Sequence, residues 1–265
     1  MNHYTTSAAS LLGGREEQQD AYCLDGRRGE VFAAVCDGIG GLPNGAQAAG
    51  AAIRTLRTAF LENPHAAPAH LYAQAVDWMD RAVAEQAAGG GSTVVSVWVR
   101  GDTLSWLSIG DSGLYLLREG QLRRLAQAHT YAAYLRQRLE KNEITQLYYD
   151  REIVRGRALT SYLGMNGVSL YEQNRPPMTL LRGDVLLLCS DGLTQAVPDA
   201  QLQALLREGG SVRALTKRLC AAFPAQPDAA QDNATWILIK SSDNGRREHE
   251  ESTMREKSLL RRGQV

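Results

Sequence analysis

The apolar positions of this chain fall into strand-length runs at both ends of a central helical and meandering region. Short apolar runs occupy 21–25 and 31–36, joined by a polar turn at 26–29. From 46 to 60 the apolar residues recur at helical spacing after Pro43-Asn44-Gly45. A second amphipathic helix is predicted over 67–87, ended by Gly89-Gly90-Gly91. Strands follow at 93–99, 103–109, 114–118 and 122–125, with tight turns at Arg100-Gly101-Asp102 and Glu119-Gly120 that predict an antiparallel meander. The stretch 132–150 is long-sided and polar, and reads as a peripheral helix. After Pro176-Pro177 come a buried strand at 185–190, helical periodicity over 199–222 and a closing strand at 234–240. Residues 241–265 are charged and read as a mobile tail outside one domain spanning 1–240. Strands before, between and after helices favour an α+β layered fold over a parallel doubly wound one.

Composition narrows the function classes. Lysine plus arginine and aspartate plus glutamate balance at 29 each, so no general nucleic-acid footprint is expected. The four cysteines are scattered without C-x-x-C spacing, which predicts free thiols and a reduced, cytoplasmic setting. The N-terminal MNHYTTSAAS lacks the basic and apolar regions of a secretory signal. No run approaches the ~20 apolar residues needed to span a bilayer.

Candidate chemistry lies in the aspartates. Val31–Cys36 runs into Asp37-Gly38-Ile39-Gly40-Gly41, and Val185–Ser190 runs into Asp191-Gly192. Each design puts an acid at a strand end with a backbone free to turn behind it. One Asp-Gly is only a turn signal, but Asp111 also follows a predicted strand, and Asp20 and Asp232 directly precede strands. Converging carboxylates repel unless cations neutralise them. An oxygen-only ligand set selects Mg²⁺ or Mn²⁺, and no His or Cys cluster argues for zinc.

These segments are arranged as in a known family. Arg15-x-x-Gln-Gln-Asp20, Val35-Cys-Asp-Gly-Ile-Gly-Gly41, Gly91-Ser-Thr93, Gly110-Asp-Ser112, Ser190-Asp-Gly-Leu193 and Gln231-Asp-Asn-Ala-Thr235 occur in order over about 11–240. In this the chain resembles the metal-dependent serine/threonine protein phosphatases (type 2C, PPM), in their bacterial branch. The resemblance implies a central antiparallel β-sandwich flanked by helices on both sides, in four αββα layers, with a two-metal centre at one end. It implies that Asp37 bridges both metals, that the Gly38 carbonyl ligates one, and that Asp191 and Asp232 complete the first. Asp20 would hold the second metal through water, Asp111 would support a third, weaker one with Asp191, and Arg15 would clamp the substrate phosphate. It further implies hydrolysis of phosphoserine or phosphothreonine by a metal-bridging water, without a phosphoenzyme. The expected partners are a phosphoprotein and a cognate Ser/Thr kinase, the expected state a monomer, and neither nucleic acid nor membrane is expected as a partner.

The departures from the family pattern are specific. Gln18 stands where relatives have Asn, and Ile39 where eukaryotic members place a His, so the general acid is unassigned. Gly113 replaces an Arg, and Ala128-His129 an Asp-His pair, with His129 either a catalytic contact or a loop histidine. The flap falls at about 130–157, where Tyr148-Tyr149 and its arginines either contact a protein substrate or form a solvated face. The stretch 159–164 is similar to phosphatases paired with kinases that control type VI secretion. A catalytically weak pseudophosphatase, acting as a phosphoprotein-binding module, is the alternative from another class. A regulatory phosphatase tuned to one partner switch is a third.

Overall fold

The strand runs pair into two antiparallel sheets in the computed structural model, which describes residues 3–27, 29–224 and 230–242. The elements of one sheet are β1 (His3–Leu11), β6 (Gly113–Arg118), β7 (Gln121–Arg124), β10 (Val185–Cys189) and β11 (Ala234–Ser242), in the order β1-β11-β10-β6-β7. The other sheet holds β2 (Asp20–Arg27), β3 (Glu30–Asp37), β4 (Val94–Arg100), β5 (Thr103–Ile109) and β8 (Glu172–Gln173), in that order, with β9 (Met178–Thr179) also on β5. Strictly alternating side chains point either between the sheets or outward. Ala33, Val35, Val95 and Val97 of one sheet meet Leu114, Leu116, Leu186, Leu188 and Ile237 of the other in the sandwich interior.

Both outer faces are covered. Helices α1 (Gly45–Glu62) and α2 (Pro68–Gln86) lay their apolar sides on Cys23, Phe32, Ala34 and Trp98. Phe32 and Phe60 stack at 4.2 Å, which pins α1 to β3, the strand that ends in Asp37. Helices α5 (Asp191–Ala196), α6 (Asp199–Arg207) and α7 (Val212–Ala222) cover Tyr115, Leu187 and Trp236 on the opposite side. The expected four-layer αββα architecture is therefore present.

Four local expectations need correction. The N-terminal strand β1 was absent from the pattern because HYTTSAASL carries small residues in place of large apolar ones; it is held by full pairing with β11. The predicted helix 199–222 is two helices, broken at Gly209 and Gly210, both at positive φ. The 132–150 helix is likewise two, α3 (Tyr131–Glu140) and α4 (Gln146–Glu152), with Asn142 left-handed between them. Ser241 and Ser242 belong to β11, opposite Tyr4 and His3, so the predicted tail begins inside the sheet; 243–265 lies outside the described residues. Among the described residues no helix is long and apolar enough to cross a membrane.

Candidate metal centre

Strand register brings the first two acids together. Asp20 opens β2, Asp37 closes β3, and the two are direct antiparallel partners. Asp37 is held by the Gly-Ser-Thr segment: Thr93 N donates to its carbonyl at 2.8 Å, Ser92 Oγ donates to the same oxygen at 3.0 Å, and Asp37 N donates to Thr93 Oγ1. Thr93 Oγ1 also lies 2.7 Å from Ser112 Oγ, which ties the loop of Asp111 to the same anchor. Gly38 is required by close approach, since a Cβ there would collide with the Gly45 carbonyl and lie 2.9 Å from the Gln19 carbonyl oxygen.

The other acids arrive from the second sheet. Ser190, between β10 and α5, donates from Oγ to Asp20 Oδ2 at 2.8 Å. Asp191 starts α5 and accepts from Gln195 Nε2 at 2.6 Å. Its carboxyl is also within hydrogen-bonding reach of Asp37. Asp232 accepts from the Asn233 amide at 2.9 Å and from Arg15 Nη2 at 2.9 Å. Buried Asn233 joins three segments, accepting from Gln19 N and donating to Leu12 O. The sandwich thus gathers Asp20, Asp37, Asp111, Asp191 and Asp232 at one end, with Arg15 at the rim, 42% exposed.

Crowding of like charges in partial burial decides the electrostatics. Burial pushes Asp20 up to about 6 against its hydrogen bonds from Ser190 and Thr235, with Asp191 and Asp232 adding repulsion. Asp111 is pushed up to about 6 by burial and then by Asp191. Asp37 rises well above the carboxylate range through burial and its four acidic neighbours. Asp191 is raised by burial and by Asp232. Such a cluster holds protons or cations, not free charge.

The donor set fits hard divalent cations. It is all oxygen, and Asp20 Oδ1 is buried without a hydrogen-bond partner. Even so, among the described residues no three ligating side chains stand as a ready-made cage. Arg15 and Gln195 hold oxygens of Asp232 and Asp191. Each bond occupies one oxygen of its carboxylate, and a cation would approach through the remaining lone pairs.

The departures resolve physically. The longer Gln18 amide is used in full, accepting from Asp20 N and donating to Ser10 Oγ and Leu11 O. A side chain at Gly113 would meet the Tyr115 ring at 2.5 Å and Cys189 Sγ at 3.0 Å, which leaves no room for an arginine there. His129 is buried, and its Nδ1 accepts from Gly110 N at 3.1 Å while its backbone N–H donates to Gly110 O at 2.8 Å. Burial and Arg124 hold its pKa below the usual histidine value. It is a loop-holding histidine that fixes the residue before Asp111. In the flap, Leu147 and Val154 are exposed and Tyr148 largely so, while Tyr149 is half-buried.

One supporting residue escaped the sequence reading. Asp80 of α2 is 5% exposed and accepts from Gly164 N at 2.6 Å and Gly167 N at 2.7 Å. It fastens the 159–167 strap, whose Leu163 pairs with Ser92, which in turn pairs with Gly38. The signal was present: Asp80 falls four residues after Val76 and three before Val83, on the apolar face of its helix.

Similarity to known proteins identifies the family. The family model described as Protein phosphatase 2C matches residues 13–222. The serine/threonine phosphatase stp of Listeria innocua is 28% identical over 221 residues, covering 78% of this chain and 82% of the relative. Among solved structures, PppA, "a key regulatory component of T6SS in Pseudomonas aeruginosa", superposes with a TM-score of 0.67 at 25% identity, covering 90% of this chain and 98% of that one. The catalytic domain of the phosphatase PstP, in complex with two manganese ions, gives a TM-score of 0.72 at 24% identity, with 92% and 100% covered.

Proposed function

The chain belongs to the protein phosphatase 2C family of metal-dependent serine/threonine phosphatases, and on that premise we propose that it hydrolyses phosphoserine and phosphothreonine in proteins with two divalent cations, Mn²⁺ or Mg²⁺, at the five-aspartate end of the sandwich. The observation that carries this is the orphaned, buried Asp20 Oδ1 beside Asp37, Asp111 and Asp191, whose carboxyls burial and mutual repulsion raise in pKa as they do that of Asp20. Asp37, the Gly38 carbonyl, Asp191 and Asp232 would hold the first cation, Asp20 would join Asp37 at the second, and Asp111 with Asp191 would serve a weaker third. When bound, such ions neutralise a phosphate dianion and acidify water for in-line attack. The protein's own contribution is placement. Thr93 and Ser92 fix the backbone of Asp37, and Ser190 fixes the Asp20 carboxylate, through hydrogen bonds made before substrate arrives. Arg15 leaves Asp232 once that acid is neutralised, and turns a planar, bidentate donor toward phosphoryl oxygens.

A reversing role against a Ser/Thr kinase follows from protein substrates. Control of type VI secretion is the narrower form, supported by the likeness to PppA and by the 159–164 strap; absence of secretion genes and a kinase beside this gene would count against it. The Arg15–Asp232 pair favours a second function, a phosphoprotein-binding module without turnover. The two separate by assay of Asp37→Asn: a phosphatase loses Mn²⁺-dependent turnover of phosphothreonine peptide while remaining folded, whereas a binding module has no such turnover to lose.

A further inference from the structure

Beside the metal centre lies a cavity of about 580 Å³ between β7 and the flap helix α3, with Arg124, Gln127, Thr130, Arg136, Gln137 and Glu140 around it. It exists because Ala128, Ala132 and Ala133 present only methyl groups to it. Its volume suits a peptide side chain with part of its backbone, more than a single ion. Arg124 is preorganised. Its Nε donates to Ala126 O at 2.9 Å, and Nη2 donates to Asp111 O at 2.7 Å and to Ser112 O at 3.4 Å. Its plane lies 5.7 Å from the Tyr115 ring. These bonds use Nε and Nη2, and among the described residues the two Nη1 hydrogens have no acceptor. Arg136, on the facing helix, makes no ion pair or hydrogen bond among the described residues.

The charge balance identifies the ligand class. Two arginines and one glutamate, Glu140, line the pocket; Glu172, which accepts from the Gln127 backbone N–H, lies outside that lining. The pocket therefore carries a modest positive excess matched to one negative charge rather than a dianion. The carbonyl of Asp111, one of the proposed metal ligands, takes the same guanidinium, so the pocket adjoins the place where the phosphorylated residue would sit. A peptide advances ~3.3–3.6 Å per residue when extended, so a neighbour two to four positions away can reach across.

We propose that this pocket is a substrate subsite for the carboxylate of an Asp or Glu flanking the phosphorylated residue, with Arg136 as the specificity-determining side chain and Arg124 as its fixed partner. The assignment rests on the chain being a phosphoprotein hydrolase. Exposed charge pairs are weak and a charged hydrogen bond is stronger, so an acidic residue in the best position should raise kcat/KM about three- to tenfold over glutamine there.

The test is a panel of phosphothreonine peptides carrying Glu, Gln or a second phosphothreonine at each position from −4 to +4. It is read as kcat/KM with Mn²⁺, and as fluorescence anisotropy of binding to the Asp37→Asn protein. Arg136→Gln should abolish the preference for Glu while leaving turnover of para-nitrophenyl phosphate unchanged, and Arg136→Glu should invert it. Equal rates for Glu and Gln at every position, or a preference that survives in Arg136→Gln, would overturn the subsite. A preference for the second phosphothreonine alone would overturn the carboxylate assignment. Loss of all turnover with the Arg136-dependent preference intact in binding would count against the hydrolase and leave the subsite supported.

Discussion

Replacing Gly192 by alanine probes the centre without touching a ligand. A Cβ at this position would collide with the Asn233 carbonyl oxygen, lie 2.9 Å from its carbon and 3.3 Å from Asp232 Cβ. Ordinary contact begins near 3.4 Å, and the collision with the carbonyl oxygen governs, so the Gln231–Asn233 segment must retreat by about 1 Å or more. That segment carries Asp232, and Asn233 binds it to Gln19 and Leu12, so the displacement falls on the metal-facing loops together. Misplacement of about 1 Å costs roughly 10²-fold in rate, which predicts about a hundredfold loss in kcat/KM. Overpacking should cost about 1–3 kcal/mol of stability. Gly26→Ala is the control, because its Cβ would meet only the Glu30 carbonyl oxygen at 3.5 Å. Mn²⁺-dependent turnover, Mn²⁺ affinity by calorimetry and thermal melting separate the effects. Wild-type Mn²⁺ affinity and kcat/KM in a folded Gly192→Ala protein would refute the placement of Asp232.

Other consequences follow from the same geometry. Asp80→Ala removes the buried acceptor of the Gly164 and Gly167 amides and should cost about 2–4 kcal/mol; hydrogen exchange should show Gly164 and Gly167 losing protection, and unchanged protection would contradict the strap. In metal-free protein, Asp20 and Asp111 have folded pKa values raised from 3.8 to about 6, so their stabilising contribution is complete below 3.8 and is lost as pH rises through 6. Melting of the metal-free protein should therefore be lower at pH 7.5 than at pH 5, and Mn²⁺ at pH 7.5 should reverse it; a metal-insensitive rise with pH would oppose the cluster. Burial pushes the Cys23 and Cys189 thiols up to about 12 and raises Cys36 well above the ordinary thiol value, while Cys220 is part-exposed. Iodoacetamide should accordingly add once, at Cys220, in intact-protein mass spectra, with early labelling of Cys36 as the contrary result.

What could be read from the chain was what a short window encodes. Val31–Cys36 and Val185–Ser190 announce buried strands and put Asp37 and Asp191 at their ends, because an apolar run followed by Asp-Gly has few other uses. Their convergence was not in the pattern; it comes from the Asp20–Asp37 register and from β10 and β11 packing across the sandwich. Strand β1 stayed hidden because its order is supplied by β11 and not by its own small side chains. The double glycine at 209–210 splits a helix whose periodicity continues across the break. The pairing of Arg15 with Asp232 was not in the pattern; an arginine at the edge of unneutralised carboxylates takes the nearest one. Asn233 and Ser190 acquire their roles only through partners more than 160 positions away.

The central claim is that these aspartates hold cations that drive hydrolysis of a phosphate ester. Purified protein should be assayed on para-nitrophenyl phosphate and a phosphothreonine peptide, with and without Mn²⁺, beside Asp191→Asn. Turnover that requires Mn²⁺ and disappears in the folded variant is the predicted result. Folded, Mn²⁺-loaded protein that hydrolyses neither compound, or Asp191→Asn that hydrolyses both as wild type does, would contradict it.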